Sequence, residues 1–142
     1  MKQRIYINDV AVRDGFQIEK NIISTETKIA LIDALSATGI AKIETTSFVH
    51  PKLVPNMADA VEVLANIKRV AGVTYSVLVP NRKGMERAIT THQSHGKIDE
   101  INVVVSVSET HNRANVNRTC DESFADFAIM VIRGVMTKRS GG

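Results

Sequence analysis

The chain has 142 residues, 44% hydrophobic and 23% charged, with a net charge of +3 and one cysteine, Cys120. This is the make-up of one soluble domain with a sizeable core, and it excludes an internal disulfide, a cysteine-rich zinc cluster, and a membrane span, which needs ~20 consecutive apolar residues. The basic residues are dispersed (Arg82 and Lys83, Arg113, Arg118, Lys138 and Arg139) with no aromatics among them, so no nucleic-acid-binding face is expected.

In chain order, RIYINDVAV (4–12) is short and rich in β-branched residues, as a strand is. Ser24 suits a helix N-cap with Glu26 in the first turn; Leu31, Ile32 and Leu35 share one face, and Gly39 is placed for a left-handed stop. IAKIETTSF (40–48) reads as a second strand, followed by a loop with Pro51 and Pro55. Met57, Val61, Leu64 and Ala65 mark a second amphipathic helix ending near Gly72. VTYSVLV (73–79) is a third strand cut off by Pro80, and Asn81 caps a third helix with Met85, Ala88 and Ile89 inward. IDEINVVVSVS (98–108) reads as a fourth strand covered on both faces. A polar loop, ETHNRANVNR (109–118), leads to the capping box Thr119–Glu122 and a fourth helix facing inward through Phe124, Phe127, Ala128 and Val131.

Four strand–helix units in series predict a parallel α/β sheet of (β/α) repeats with right-handed crossovers. A doubly wound sheet would show a Gly-rich phosphate turn after the first strand, where this chain has R-D-G-F-Q (13–17). Charged or polar residues instead cluster at predicted strand ends: Arg13 and Asp14, Glu44, Asn81, Ser108 and Glu109. That is the pattern of a (β/α) barrel, whose active site lies at the C-terminal ends of its strands. A whole barrel needs roughly 200 residues or more, so the chain reads as a truncated half: residues 1–133 as the half-barrel and 134–142 as a tail.

Asp14 is a hard oxygen donor that suits Mg²⁺ or Mn²⁺, or else a solvated or salt-bridged carboxylate. Arg13 can bind a carboxylate or a developing enolate oxygen, or pair with Glu44 across adjacent strand ends. Glu44 lies in an apolar strand, where it is costly to bury unless paired. His50, His92, His95 and His111 lack the close spacing of a metal pair. His92 and His95 lie at a predicted helix end, where the dipole favours them. Cys120 follows a cap position and reads as structural, although a helix N-terminus would acidify its thiol.

VRDGFQ (12–17), IETTSFVHPKLVPNMAD (43–59), YSVLVPNRKGMERA (75–88), SVSETHNRANVN (106–117) and ESFADF (122–127) together resemble the hydroxymethylglutaryl-CoA lyase family in order and spacing. The likeness runs over residues 5–127. R-D-G-x-Q is shared with Claisen-type acyltransferases such as isopropylmalate synthases, whereas the E-T-T-S-F-V-x-P-K-x-V-P-x-M-A-D stretch is specific to the lyases. The resemblance implies a TIM barrel that splits a 3-hydroxy-3-methylglutaryl-CoA-type thioester into acetyl-CoA and acetoacetate with Mg²⁺ or Mn²⁺. It implies Asp14 as metal ligand, Arg13 as the group that binds substrate and stabilises the enolate, and Gln17 and Glu44 as supporting polar groups at the metal and the substrate hydroxyl.

The family's His-x-His metal pair, Asn ligand and catalytic Cys loop belong to later strands that this chain does not contain. Metal binding and turnover by the chain alone are therefore expected to be weak. The alternatives are a condensing acyltransferase, or a non-catalytic module that binds CoA ligands. Exposed barrel edges predict self-association, with no nucleic-acid or membrane partner, and the single cysteine and lack of a targeting segment predict a cytoplasmic protein.

Overall fold

A computed structural model describes residues 5–139, with side chains up to Val131. Four strands, β1 (Asn8–Asp9), β2 (Lys42–Ser47), β3 (Thr74–Leu78) and β4 (Glu100–Asn102), form one sheet in the order β1-β2-β3-β4, every neighbouring pair parallel. The helices are α1 (Thr25–Ser36), α2 (Ala60–Asn66), α3 (Arg82–His95), α4 (Glu109–Val116) and α5 (Cys120–Arg139), with a π-helical turn at Ala11–Gly15 and a 3₁₀ turn at Pro55–Met57. Strand order that follows chain order, with crossovers of one hand, keeps the crossover helices on one face of the sheet. A doubly wound sheet would reverse order instead.

The core lies between that face and the helices. Ile43, Tyr75 and Val77 meet Ile32 of α1, Val63 and Leu64 of α2, Met85 and Ala88 of α3, and Met130 of α5. The opposite face is polar, not apolar as edge-driven association would want. Lys42 and Glu44 of β2, Ser76 of β3, and Glu100 and Asn102 of β4 lie there, and Lys42 pairs with Glu100.

The local signals hold. Ser24 Oγ accepts from the Thr27 amide (3.2 Å), Asn81 Oδ1 from that of Gly84 (2.9 Å), and Gly39 takes φ 80°. The Glu122 amide donates to Thr119 Oγ1 (3.0 Å) and the Thr119 amide to Glu122 Oε2 (2.8 Å), closing the capping box. Gly84 is dictated by packing, because a Cβ there would come within 2.7 Å of the Phe48 carbonyl oxygen.

The bond from the Thr119 amide holds the Glu122 carboxyl below the usual carboxylate range, with Arg113 and Arg118 adding to it. A depressed folded-state value means the cap is fully present above the unfolded value and is lost as pH falls through the lowered one. An NMR titration should therefore show the Thr119 amide moving with a midpoint under about 4.3, the unperturbed glutamate value. Glu122→Gln should remove the transition; a midpoint at or above the ordinary value counts against the cap.

Element lengths differ from expectation. The first strand is two residues, not nine: its ladder begins at Asn8, which pairs with Lys42, the first residue of β2, and ends at Asp9 opposite Ile43. Ile5 is 86% exposed. Past Asp9 the Ala11 amide turns to Asp9 Oδ1 (2.9 Å) and the chain enters the π-helical turn. The fourth strand likewise ends at Asn102, opposite Leu78, the last residue of β3, so the Val103–Val107 run is not a doubly covered strand and Val107 is 93% exposed. Residues 109–116, expected as loop, form α4, with Ser108 capping its start and Asn117 ending it at φ 54°. Helix α2 stops at Asn66, short of Gly72, and buries Ala60, Val63 and Leu64 while Val61 is exposed. In α5, Met130 is buried while Phe124 and Val131 are exposed. The expected boundary between residues 133 and 134 falls inside α5, and residues 140–142 of that tail lie outside the described residues.

Candidate active site

The π-helical turn places Arg13 and Asp14 directly after β1. Such one-turn widenings of the helix recur where a side chain must be aimed at a functional site. The amides of Asp14 and Gly15 both point to the Val10 carbonyl, at 2.7 and 3.4 Å. Val12, fully buried, anchors the turn on the core.

Arg13 lies beneath that turn, its side chain 14% exposed, with its Nε bonded to Glu44 Oε1. Glu44, at 5% exposure, is the buried carboxylate that the sequence required to be paired. Arg13 Nη1 donates to Asp14 Oδ1 (2.6 Å) and more distantly to Gln17 Oε1 (3.5 Å). Nη2 makes no hydrogen bond among the described residues. Asp14 is 57% exposed and turned to solvent. A Cβ on Gly15 would meet no atom within 4 Å, so the space beside the pair is open.

All four expected site residues, Arg13, Asp14, Gln17 and Glu44, thus converge. Two further residues complete the cluster and were missed. Asn102 Nδ2 donates to the second oxygen of Glu44 and lies 3.4 Å from Ser76 Oγ. No short-range spacing could have indicated it, since it comes from two strands away. The polar run that follows Glu44 is accommodated by a register irregularity at Thr45. Thr45 Oγ1 bonds the Ser76 carbonyl (3.0 Å) and Ser47 Oγ accepts from the Val49 amide (3.2 Å).

Among the described residues no group of three His, Cys, Asp or Glu side chains converges as a metal site. Asp14 offers one carboxylate, already shared with Arg13, and both oxygens of Glu44 are engaged. These donors alone do not complete a divalent-metal site. His111 is in α4 against Ser106 Oγ (2.9 Å), and His92 and His95 occupy the last turn of α3 as expected. Cys120 is not acidified by its place at the start of α5. Burial and the neighbouring Glu109 push its thiol up, and its Sγ is held against the Ser106 carbonyl (3.1 Å).

A family profile described as HMGL-like matches residues 4–138. The chain is 48% identical over 121 residues to a hydroxymethylglutaryl-CoA lyase of Bacillus subtilis (strain 168), covering 85% of this chain and 39% of that one. It is 45% identical over 127 residues to the mitochondrial hydroxymethylglutaryl-CoA lyase of Homo sapiens, covering 89% and 38%. The chain therefore spans well under half the length of these curated relatives. Among solved structures, the Bacillus subtilis HMG-CoA lyase superposes with a TM-score of 0.87 at 42% identity, over 96% of this chain and 44% of that one. An HMG-CoA lyase from Acinetobacter baumannii, in complex with coenzyme A and 3-methylmalate, does so with a TM-score of 0.83 at 41% identity, over 90% and 40%.

Proposed function

Because the chain belongs to the HMGL-like family, we propose that it carries the Arg13–Asp14 portion of a carbon–carbon lyase site. The substrate would be a 3-hydroxy-3-methylglutaryl-CoA-type thioester, and the products acetyl-CoA and acetoacetate. The observation that carries this reading is the guanidinium itself. It is held along one edge by a buried carboxylate, with Nη2 left to meet a ligand beside an open, exposed Asp14. The relative that holds coenzyme A together with a hydroxy-dicarboxylate supports the ligand class.

In the cleavage a proton leaves the tertiary hydroxyl, whose oxygen becomes the ketone of acetoacetate. The bond to the methylene next to the thioester breaks, and its electron pair collects as an enolate on the thioester oxygen before that carbon is protonated. Arg13 meets the developing negative oxygen with charge-assisted donors that are already in place, so little reorganisation is needed as charge builds. Glu44, with both oxygens engaged, serves by holding Arg13 and does not take the hydroxyl proton. Gln17 lines the same rim. Asp14 is proposed as one oxygen ligand of a divalent ion. Because the described residues do not complete that site, no step above depends on it.

Self-association and a cytoplasmic location are parts of the same proposal. The first is supported by β1 and β4 lying at the sheet's edges beside exposed Ile5, Tyr6, Val104 and Val107; the second by the lone cysteine. No helix among the described residues is long and apolar enough to cross a membrane.

The test titrates the chain calorimetrically with 3-hydroxy-3-methylglutaryl-CoA, follows acetoacetate release with Mg²⁺, and weighs the assembly by light scattering. Binding is expected, weakened about tenfold or more by Arg13→Met, the scale of one charge-assisted hydrogen bond. Release is expected to be slow and lost in Asp14→Ala. Binding or release indifferent to both substitutions overturns the reading, and a monomeric mass overturns the self-association.

A further inference from the structure

We propose that Asn102 is a positioning residue for Arg13 and acts through Glu44. Arg13 stands on a short turn behind a strand with only two ladder partners, Asn8↔Lys42 and Asp9↔Ile43, so the sheet does little to set its guanidinium. The Glu44 carboxylate must set it instead. A carboxylate's last torsion is soft, and a single bond to Arg13 would leave it free to swivel. Asn102 removes that freedom by bonding the other oxygen, so the carboxylate plane is held from both sides.

The residue types suit the task. A carboxylate only accepts, so the amide must turn its NH₂ toward Glu44. Being neutral, it orients the carboxylate and leaves the negative charge to Arg13. Asn102 is the last residue of β4, and it can reach β2 because Ser76, between them on β3, is small and offers its hydroxyl at 3.4 Å from Asn102 Nδ2. The turn after the first strand is therefore aimed by a residue at the end of the fourth.

That Arg13 meets substrate rests on the reading above; that Asn102 aims Arg13 does not. The test follows solvent exchange of the Arg13 Nε–H by NMR in the intact chain, with the Thr119 cap amide as a control for the fold. In Asn102→Leu, which keeps the shape and loses the donor, exchange should speed by about tenfold. In Asn102→Gln, which restores an amide, the rate should return to within about threefold of the original. In a Glu44→Gln background, Asn102→Leu should add nothing further. An unchanged Arg13 signal in Asn102→Leu, or an acceleration that persists in the Glu44→Gln background, overturns the inference. Acceleration with thioester binding untouched supports Asn102 as the residue that aims Arg13, and instead sinks Arg13 as the substrate contact.

Discussion

Replacing Arg13 with Met is expected to lower the unfolding free energy by about 3 kcal/mol, the cost of leaving a buried carboxylate without its counter-charge. Glu44 is 95% enclosed and would retain only the neutral Asn102 donor. Arg13→Lys should fall between, at about 1–2 kcal/mol. An ammonium keeps the charge but cannot bond Glu44 through Nε while bonding Asp14 through Nη1. Urea unfolding gives both values. A loss below about 1 kcal/mol for Arg13→Met would mean that water reaches Glu44 readily, and the pair would be an ordinary surface contact.

The second large effect lies away from the site. Lys28 of α1 is 3% exposed, and its Nζ bonds the Asn56 carbonyl (2.5 Å) and both oxygens of Asp59 (2.8 and 2.9 Å), which also accepts from Thr25 Oγ1 (2.7 Å). Asp59→Ala strands a buried ammonium on one neutral acceptor and is expected to cost about 3–5 kcal/mol. Lys28→Met should cost less, about 1–2 kcal/mol, because Asp59 is partly exposed, keeps Thr25, and can take water. The order of the two losses is the test. Equal losses would place the energy in side-chain packing and not in the uncompensated charge.

Residues of the P-N-M-A-D stretch (55–59) do framework duty. Asn56 Oδ1 accepts from the Ile23 amide (2.8 Å), and its Nδ2 donates to the carbonyls of Glu19 (3.1 Å) and Asn21 (3.2 Å). One buried side chain thereby ties down the segment joining R-D-G-F-Q to α1, while Asp59 joins α1 to α2.

Read alone, the sequence settled whatever rests on neighbours a few positions apart or on one unavoidable energetic demand. Ser24, Asn81, Gly39 and the Thr119–Glu122 box mark helix ends because each cap is completed within about four residues. Glu44 had to find a cation because a lone carboxylate in an apolar strand is too costly, and Arg13 was a fitting one. Strand lengths, the helical state of residues 109–116, the Lys28–Asp59 pair and the reach of Asn102 to Glu44 were decided only in three dimensions. A strand's limit is set by its partner's: β1 starts opposite the first residue of β2, and β4 ends opposite the last residue of β3. Such contacts join residues some thirty to sixty positions apart, and the spacing of a linear sequence carries no record of which distant strand end will come to lie beside which.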